Sequence, residues 1–331
     1  MPTVLIGTKT RVTKTEPHVR LLQKNGFDVR LVNDDRFALG LTSDEEVIDF
    51  LQGASATIAS GTRYTAKVLE NLPDLRVIAR AGVGFDRVDI AAATANNVVV
   101  TITPNSNYEA VAEHAMALIL SLAKSLVSSD KAMRAGEWHS SGRRPIRGST
   151  LGIVGLGRIG RSLAVRGQAM KMRVIATESM PDKAFVEKHA IELIGLDDLL
   201  RRADYVSLHC PLTDETRGMI NKETLTLLKP GASIVNTARG GLVVEADLVD
   251  ALRSGRIAGA GLDVFEQEPT ASDNPLYALD NVILSPHIAG NDHLSLEEMG
   301  MEAANCIIKL HQGSWPEGAA VNHELKERWR W

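Results

Sequence analysis

The chain has 331 residues and a formal net charge of −4 at pH 7, with a pI of about 6.2, which argues against a general nucleic-acid binder because such proteins are usually basic. Hydrophobic residues make up 44% and charged residues 24% of the chain, as in ordinary globular proteins, and the length predicts two domains. No apolar run approaches the roughly 20 residues that span a bilayer, residues 1–7 are too short for a signal peptide, and two cysteines imply no disulfide framework, so we expect a cytoplasmic protein.

The first hundred residues carry alternating strand and helix patterns. Apolar runs predict strands at Val4–Ile6, Val29–Val32, Thr57–Ala59 and Val77–Ala79. Helices are predicted between and after them at Pro17–Lys24, Asp44–Leu51, Thr65–Asn71 and Val88–Ala95. Because strands that alternate with helices predict a parallel, doubly wound sheet, and because this stretch lacks a GxGxxG sequence, we assign residues 1–100 to a separate domain.

A long helix is predicted next, over Tyr108–Leu126. Apolar residues recur on one of its sides at helical spacing, namely Val111, Ala115, Leu118, Leu122 and Leu126. Such a helix can carry the chain between domains and bury a partner's surface. Further strands are predicted at Leu151–Val154, Val174–Thr177, Tyr205–His209, Ser233–Thr237, Gly259–Val264 and Val282–Leu284.

The first of these later strands leads into a glycine-rich motif, Gly-Leu-Gly-Arg-Ile-Gly at residues 155–160. Gly155 allows a tight turn, Gly157 lets the backbone approach a pyrophosphate, and Gly160 lets helix and strand pack closely. Glu178 follows the next apolar run, where an acidic residue accepts hydrogen bonds from ribose hydroxyls. The spacing therefore predicts a dinucleotide site.

Polar residues follow the last three predicted strands, where ligands bind in such sheets. Arg239 suits a carboxylate because its planar fork binds two oxygens, and His287 suits proton transfer near neutral pH. Glu268 would orient the imidazole and favour its protonated form. Each of these residues alone is more often structural or solvated. Together they predict hydride transfer between NAD and a carbon that bears a hydroxyl, with His287 as acid and base.

Several motifs carry a resemblance to a known family. They are Arg80–Asp86 (RAGVGFD), Asn105–Asn107 (NSN), Val111–His114 (VAEH), the glycine motif, Asn236–Gly241 (NTARGG), Gly261–Glu266 (GLDVFE), Glu268–Pro269 and Ser285–His287 (SPH). Through them the chain resembles the D-isomer-specific 2-hydroxyacid dehydrogenases, above all the phosphoglycerate dehydrogenase and glyoxylate/hydroxypyruvate reductase branches. The resemblance runs from about Thr57 to His287.

The resemblance implies an α/β fold with two doubly wound parallel-sheet domains, a Rossmann NAD-binding domain and a flavodoxin-like substrate domain. The substrate domain would comprise residues 1–100 and the return segment 289–331, and the NAD-binding domain residues 101–288. The substrate would bind in the cleft between the domains. The long helix near Tyr108 would help to form a homodimer.

The resemblance also implies roles for individual residues. The catalytic residues would be Arg239, Glu268 and His287, and the substrate would also contact the backbone at Val83 and Gly84. The NAD-binding residues would be Gly155, Gly157, Arg158, Ile159, Gly160, Glu178, Cys210, Pro211, Thr237, Ala238, Asp263, His287 and Gly290. Among them, Arg158 and Ile159 would supply amides to the pyrophosphate, and Asp263 would hold the nicotinamide carboxamide.

Two departures from the family pattern bear on specificity. Phosphoglycerate-specific relatives tend to carry Arg where Ala59 stands, which disfavours a phosphorylated substrate, although Arg80 remains. Glu178 replaces the more usual Asp, and either carboxylate would repel a 2′-phosphate, so we expect NAD rather than NADP. Which 2-hydroxy acid is used stays open.

Two alternatives to this interpretation stay open, and a third is disfavoured. A nucleotide-sensing protein of the C-terminal-binding-protein corepressor type would share the fold, and D-3-phosphoglycerate dehydrogenase is a narrower assignment. Formate dehydrogenase is disfavoured because that branch carries Gln where Glu268 stands. His114 is expected to be a helix-packing residue and the Trp-rich end, Arg328–Trp331, an unburied tail, with docking on a partner subunit or over the cleft as the alternative. No cluster has metal-ligand spacing, so no metal site is predicted.

Overall fold

The computed structural model describes residues 1–8, 10–140 and 142–331. Over these residues the chain forms twelve strands, all of whose mutual pairings are parallel. The strands are β1 (Thr3–Gly7), β2 (Asp28–Leu31), β3 (Ala56–Ala59), β4 (Val77–Arg80), β5 (Val99–Thr101), β6 (Thr150–Val154), β7 (Arg173–Thr177), β8 (Glu192–Leu193), β9 (Tyr205–Leu208), β10 (Ser233–Asn236), β11 (Gly259–Leu262) and β12 (Val282–Leu284). The predicted α/β fold with two parallel sheets is confirmed.

Helices connect these strands and cover the sheets. They are α1 (Pro17–Lys24), α2 (Asp35–Leu39), α3 (Asp44–Leu51), α4 (Ala66–Glu70), α5 (Ile90–Ala95), α6 (Tyr108–Lys124), α7 (Leu126–Arg134), α8 (Arg158–Ala169), α9 (Lys183–Lys188), α10 (Leu196–Arg202), α11 (Lys222–Leu225), α12 (Glu245–Arg253) and α13 (His293–His311). Several begin at a side chain that accepts a first-turn N–H. Asp34, Ser43, Thr65 and Asp89 do so for α2 to α5, which explains where these helices start.

The chain divides into two compact units, Met1–Asn107 with Asn291–Trp331, and Tyr108–Gly290. The sequence places the first boundary after residue 100, whereas the second unit begins at Tyr108, the first residue of α6. The division into two separate domains, with the bounds that the sequence predicts, stays a prediction.

The first unit is built on the sheet β2-β1-β3-β4-β5. Alternate residues of its strands face opposite sides, so Val4 and Ile6 join one apolar cluster and Leu5 joins another. The first cluster includes α1 and α13, and the second includes α3 and α4. Both faces are therefore covered, as a parallel sheet requires.

The C-terminal residues pack onto this first unit, so the expected unburied tail is wrong. Trp329 is 5% exposed, and its Nε1 donates to the Asn97 carbonyl at 2.9 Å. The Trp331 ring lies against His311, with ring centroids 4.8 Å apart. Asn322 holds the returning chain beside β5. Its Oδ1 accepts from Val100 N, and its Nδ2 donates to the Val98 carbonyl.

The second unit carries a sheet in the order β12-β11-β10-β9-β6-β7-β8. The chain runs from β6 outward to β8, then returns to the other side of β6 at β9 and continues to β12. The order therefore reverses between β6 and β9, and in open parallel sheets this switch point is where ligands bind, beyond the carboxyl ends of the strands.

The predicted single helix over Tyr108–Leu126 is wrong at its end. α6 stops at Lys124, because Ser125 adopts the left-handed conformation with φ 50° and interrupts the hydrogen-bond ladder. α7 then leaves at an angle of 59°. No single helix among the described residues is long and apolar enough to cross a membrane. α6 and α7 reach the length and apolar composition of a membrane span only when they are taken together as this bent pair.

Candidate active site

Three neighbouring strands of the second unit end at the same level. The last residues of β10, β11 and β12 are paired in register, so the residues that follow, Thr237, Asp263 and Ser285, leave the sheet side by side. Arg239 and His287 each stand two residues further on. The topology thus brings to one sheet edge the side chains that the sequence predicts for the chemistry.

His287 and Glu268 form a close pair in this region. His287 Nδ1 lies 2.8 Å from Glu268 Oε2, and their side chains are 39% and 20% exposed. Because Nδ1 faces a carboxylate, it carries the proton of the neutral ring, and Nε2 is left as the nitrogen that can exchange a proton with a ligand. The structure therefore contains the pair of residues that the sequence predicts.

Glu268 uses its two oxygens differently. Oε1 accepts a hydrogen bond from the Phe265 backbone N–H at 3.1 Å, and Oε2 faces His287. The backbone contact anchors the carboxylate, which in turn fixes the orientation of the imidazole.

His287 itself sits on strained backbone. Its φ is 54°, a left-handed conformation that costs a non-glycine residue of order 1 kcal/mol or more. Asp263 holds this turn: its carbonyl accepts from His287 N at 2.8 Å, and its carboxylate accepts from Ile288 N at 2.9 Å and Ala289 N at 2.8 Å. Asp263 is fully buried, so the strained turn is held by hydrogen bonds to a residue inside the protein.

Arg239 is half-buried and projects from a turn that Asn236 shapes. Asn236 Nδ2 donates to the Arg239 carbonyl at 2.8 Å, and its Oδ1 accepts from Ala238 N at 3.0 Å. The Arg239 guanidinium donates to the Ala238 carbonyl at 2.6 Å. Asn236 was not assigned a role from the sequence, although a buried amide that ends an apolar strand is a signal for such a turn.

The glycine motif makes a narrow turn between β6 and α8. Gly155 has φ 95°, and a Cβ there would lie 2.6 Å from the Cys210 backbone nitrogen. A Cβ at Gly157 would meet no atom within 4 Å, so the backbone at the start of α8 is open to a ligand. The first-turn amides, which include Arg158 and Ile159, have no side-chain cap, and such amides bind anions.

Glu178 lies beside this turn. Its Oε2 accepts from Leu156 N at 2.7 Å and its Oε1 from Met180 N at 3.0 Å. Burial alone would raise the pKa of Glu178, but these backbone donors outweigh it and hold the pKa below the ordinary value. The carboxylate is therefore ionised at neutral pH.

The residues of this edge fit a dinucleotide. Thr237 is 7% exposed, and its Oγ1 has no hydrogen-bond partner within the described part of the chain, so a bound polar group would satisfy it. The open glycine turn and the ionised Glu178 supply the other two features that such a ligand needs. Burial raises the pKa of the Cys210 thiol to about 11, so the thiol stays protonated beside the turn.

The remaining predicted positions are distributed as follows. Pro211 follows Cys210 after β9, and Gly290 closes the second unit. Val83 and Gly84 belong to the first unit, in the loop after β4, and their contact with a substrate stays a prediction. Across the described residues no group of three His, Cys, Asp or Glu side chains is placed to hold a metal ion.

Comparisons with known proteins identify a matching family model and several relatives. A family model described as the NAD-binding domain of the D-isomer specific 2-hydroxyacid dehydrogenases matches residues 116–289. The chain is 38% identical over 305 residues to the glyoxylate reductase of Korarchaeum cryptofilum, which covers 88% of this chain and 92% of that protein. It is 36% identical over 310 residues to the D-3-phosphoglycerate dehydrogenase of Archaeoglobus fulgidus, covering 93% of this chain but only 58% of that relative's length.

Solved structures are similar over nearly the whole chain. The D-lactate dehydrogenase of Aquifex aeolicus, complexed with NAD and lactic acid, superposes with a TM-score of 0.84 at 29% identity. The match covers 96% of this chain and 99% of that structure.

Proposed function

The chain belongs to the D-isomer specific 2-hydroxyacid dehydrogenase family, and from that premise we propose that it catalyses reversible, NAD-dependent hydride transfer between a D-2-hydroxy acid and the corresponding 2-keto acid. The observation that carries the proposal is the His287–Glu268 pair at 2.8 Å, on the same sheet edge as Arg239 and the open glycine turn. The glyoxylate reductase and D-lactate dehydrogenase named above act in this reaction class by their names.

Each of the three side chains has a distinct part in this chemistry. Bound NADH supplies the hydride during reduction, and NAD receives it during oxidation. His287 donates a proton from Nε2 to the carbonyl oxygen during reduction and takes it back during oxidation. Glu268 stabilises the imidazolium between these steps, and Arg239 binds the substrate carboxylate and draws electron density from the adjacent carbonyl.

The same edge favours NAD over NADP. The ionised Glu178 would accept hydrogen bonds from the two ribose hydroxyls of NAD, whereas a 2′-phosphate would place like charges together. Glu178 already accepts backbone hydrogen bonds on both oxygens, which hold it in place for this discrimination.

We further propose that the substrate is not phosphorylated. Ala59 stands at the end of β3, where phosphoglycerate-specific relatives tend to carry Arg. Arg80 is 6% exposed and donates to the backbone oxygens of Ser60, Thr62 and Gly84. This cation therefore ties together the loops after β3 and β4, and it would lose those bonds if it turned to a phosphate.

A homodimer is the assembly that we propose. α6 contributes its apolar residues to the interior of the second unit, but α7 buries none. Leu126, Val127 and Met133 on α7 and Trp138 just after it are exposed. A second copy packing on this face, which we call the α7 face, would cover these exposed apolar side chains. No nucleic-acid or membrane partner is proposed, and the two free, mostly buried cysteines fit a reducing cytoplasm.

The proposal is tested by NADH oxidation against glyoxylate, hydroxypyruvate, pyruvate, 2-ketoglutarate and 3-phosphohydroxypyruvate, with NADPH in parallel. We expect turnover of at least one unphosphorylated 2-keto acid with NADH. Arg239→Ala should lower kcat/KM for that compound by about 10²- to 10³-fold because a bidentate charge contact is lost, and Arg239→Lys is the matched control that keeps the charge but not the fork. Tight NADH binding without turnover of any compound would contradict the proposed reaction, and preference for the phosphorylated compound would contradict the proposed substrate.

A further inference from the structure

His114 is a second histidine near the proposed nicotinamide end of the site, and the mechanism above does not use it. It lies on α6, and its Nε2 is 2.9 Å from Ser285 Oγ. Its side chain is 25% exposed, so it is not simply enclosed in the apolar packing of α6. Ser285 follows β12 and stands two residues before His287.

The direction of the hydrogen bonds in this cluster follows from the donors available. Ser285 Oγ donates its single proton to Asp263 Oδ1 at 2.6 Å, with the carboxylate oxygen as the acceptor. Ser285 Oγ must then accept from His114, so His114 carries a proton on Nε2. The same Nε2 is 3.8 Å from Asp263 Oδ1, which places its partial positive charge close to the buried carboxylate.

Asp263 is the point on which this chain of hydrogen bonds ends. Its two oxygens receive Ser285 Oγ, Ile288 N and Ala289 N, and its carbonyl receives His287 N. A shift of the Asp263 carboxylate would therefore move the strained turn that carries His287. By the family resemblance, the same carboxylate would also hold the nicotinamide carboxamide.

We propose that His114 is a positioning residue: by donating to Ser285, it fixes the Asp263 carboxylate in the orientation that serves both the nicotinamide carboxamide and the His287 turn. The inference deepens the proposed function and rests on it for the role of His287. A leucine at position 114 could fill the same space but could not donate, and Ser285 would then be free to rotate away from Asp263. In a network of this kind each hydrogen bond depends on its neighbour.

The test uses His114→Leu, which removes the donor, His114→Gln, whose amide keeps one, Ser285→Ala, and the double variant His114→Leu/Ser285→Ala. NADH affinity is measured by nicotinamide fluorescence titration, and kcat and KM are measured with the preferred 2-keto acid. We expect His114→Leu and Ser285→Ala each to weaken NADH binding by about three- to tenfold and to lower kcat more than they raise KM. The NADH affinity of the double variant should be no lower than that of the single variant with the lower affinity. Both substitutions interrupt the same chain of hydrogen bonds, so their effects should not add.

Rescue separates positioning from packing. His114→Gln should restore NADH affinity to within about twofold of the wild type. Glu113→Gln is the matched control on the same helix, since Glu113 pairs with Arg166 rather than with this cluster. If His114→Leu does not fold, Ser285→Ala against Ser285→Thr, which keeps the hydroxyl, decides the point by the same titration.

Two results would overturn the inference: wild-type NADH affinity and kcat in a folded His114→Leu variant, or losses in the double variant that are the product of the single losses. The titration needs no substrate. Failure of the wild type to reduce any 2-keto acid would therefore count against the proposed function alone, whereas multiplicative losses in NADH affinity would count against His114 alone.

Discussion

At the scale of single residues, hydrogen bonds fix the orientation of the side chains proposed for the site. Glu268 is anchored by a backbone N–H, and the His287 turn is anchored by the buried Asp263. Such anchoring reduces the reorganisation needed when charge develops, which is where enzymes gain most of their rate. The residues that hold the proposed catalytic groups are therefore as testable as the groups themselves.

His287→Ala should lower kcat by about 10²- to 10⁴-fold because the proton donor is lost, and it should change NADH affinity far less than kcat, because the remaining proposed NAD contacts are kept. Stopped-flow or steady-state rates together with a fluorescence titration measure the two effects. His139→Ala, a change at an exposed histidine paired with Glu137, serves as the control. Wild-type kcat in His287→Ala would remove His287 from the acid–base role.

Glu178→Gln should raise the ratio of NADPH to NADH turnover by about tenfold or more, since one like-charge contact with the 2′-phosphate is removed. The hydrogen bonds on Glu178 hold its pKa below the ordinary value, so the wild-type preference should persist from neutral pH down to the acid range and fade only as the carboxylate protonates. Kinetics with both cofactors from pH 8 to pH 5 measure this. An unchanged ratio in the variant would assign cofactor choice to another group.

The free energy of unfolding of the protein should depend on pH through His209. Burial lowers the pKa of this histidine to about 3, below its ordinary value of about 6.5, so the unfolded chain binds the proton more readily than the folded one. Its contribution to stability is complete above pH 6.5 and declines as the pH falls from there toward 3, by on the order of 1 to 2 kcal/mol at pH 5. Urea unfolding at pH 7.5 and pH 5 should show a smaller fall for His209→Gln than for the wild type; equal falls would contradict the assignment.

At the scale of elements, the parallel strands do most of the positioning. The paired ends of β10, β11 and β12 deliver Thr237, Asp263 and Ser285 at one level, and the reversal of strand order beside β6 sets the glycine turn at the switch point. Apolar periodicity predicts these strands well because each one centres on a short run of apolar or small residues. It does not predict the break at Ser125, since nothing in the local pattern distinguishes that residue from its helical neighbours.

Trp329→Ala should lower the free energy of unfolding of the protein by about 3 kcal/mol, because a buried aromatic side chain and its hydrogen bond to Asn97 are removed. Equilibrium urea unfolding followed by far-UV circular dichroism measures the change. Arg328→Ala, at an exposed neighbouring position, should cost less than about 0.5 kcal/mol. Equal stability of both variants would mean that the C-terminal segment does not dock as described.

At the scale of the whole molecule, the two units carry different parts of the proposed activity. The second unit holds the residues proposed for cofactor binding and proton transfer, and the first holds Val83 and Gly84, which are predicted to contact the substrate. The chain leaves the second unit at Gly290, three residues after His287. The α7 face, with its exposed apolar side chains, is the surface proposed for self-association.

Val127→Asp should convert the proposed dimer into a monomer, because a buried unpaired charge at the α7 face would oppose association. Sedimentation velocity across a concentration series measures the mass. Val165→Asp, which adds the same charge at an exposed position on α8, should remain dimeric. A wild type that is monomeric at all concentrations, or a dimeric Val127→Asp, would contradict the proposed interface.

Sequence alone predicted the repeating strand–helix pattern, the glycine turn with Glu178, and the candidate side chains Arg239, Glu268 and His287, because these are recorded in short-range periodicity and in compact motifs. Only the tertiary structure decided which distant residues hold them. Asp263 reaches the turn after His287, His114 reaches Ser285 from a helix 171 residues earlier, and Trp329 returns to Asn97. Such contacts depend on how the sheet aligns its strand ends, and no local pattern records that alignment, because its energy comes from burial and hydrogen bonding between segments far apart in the chain.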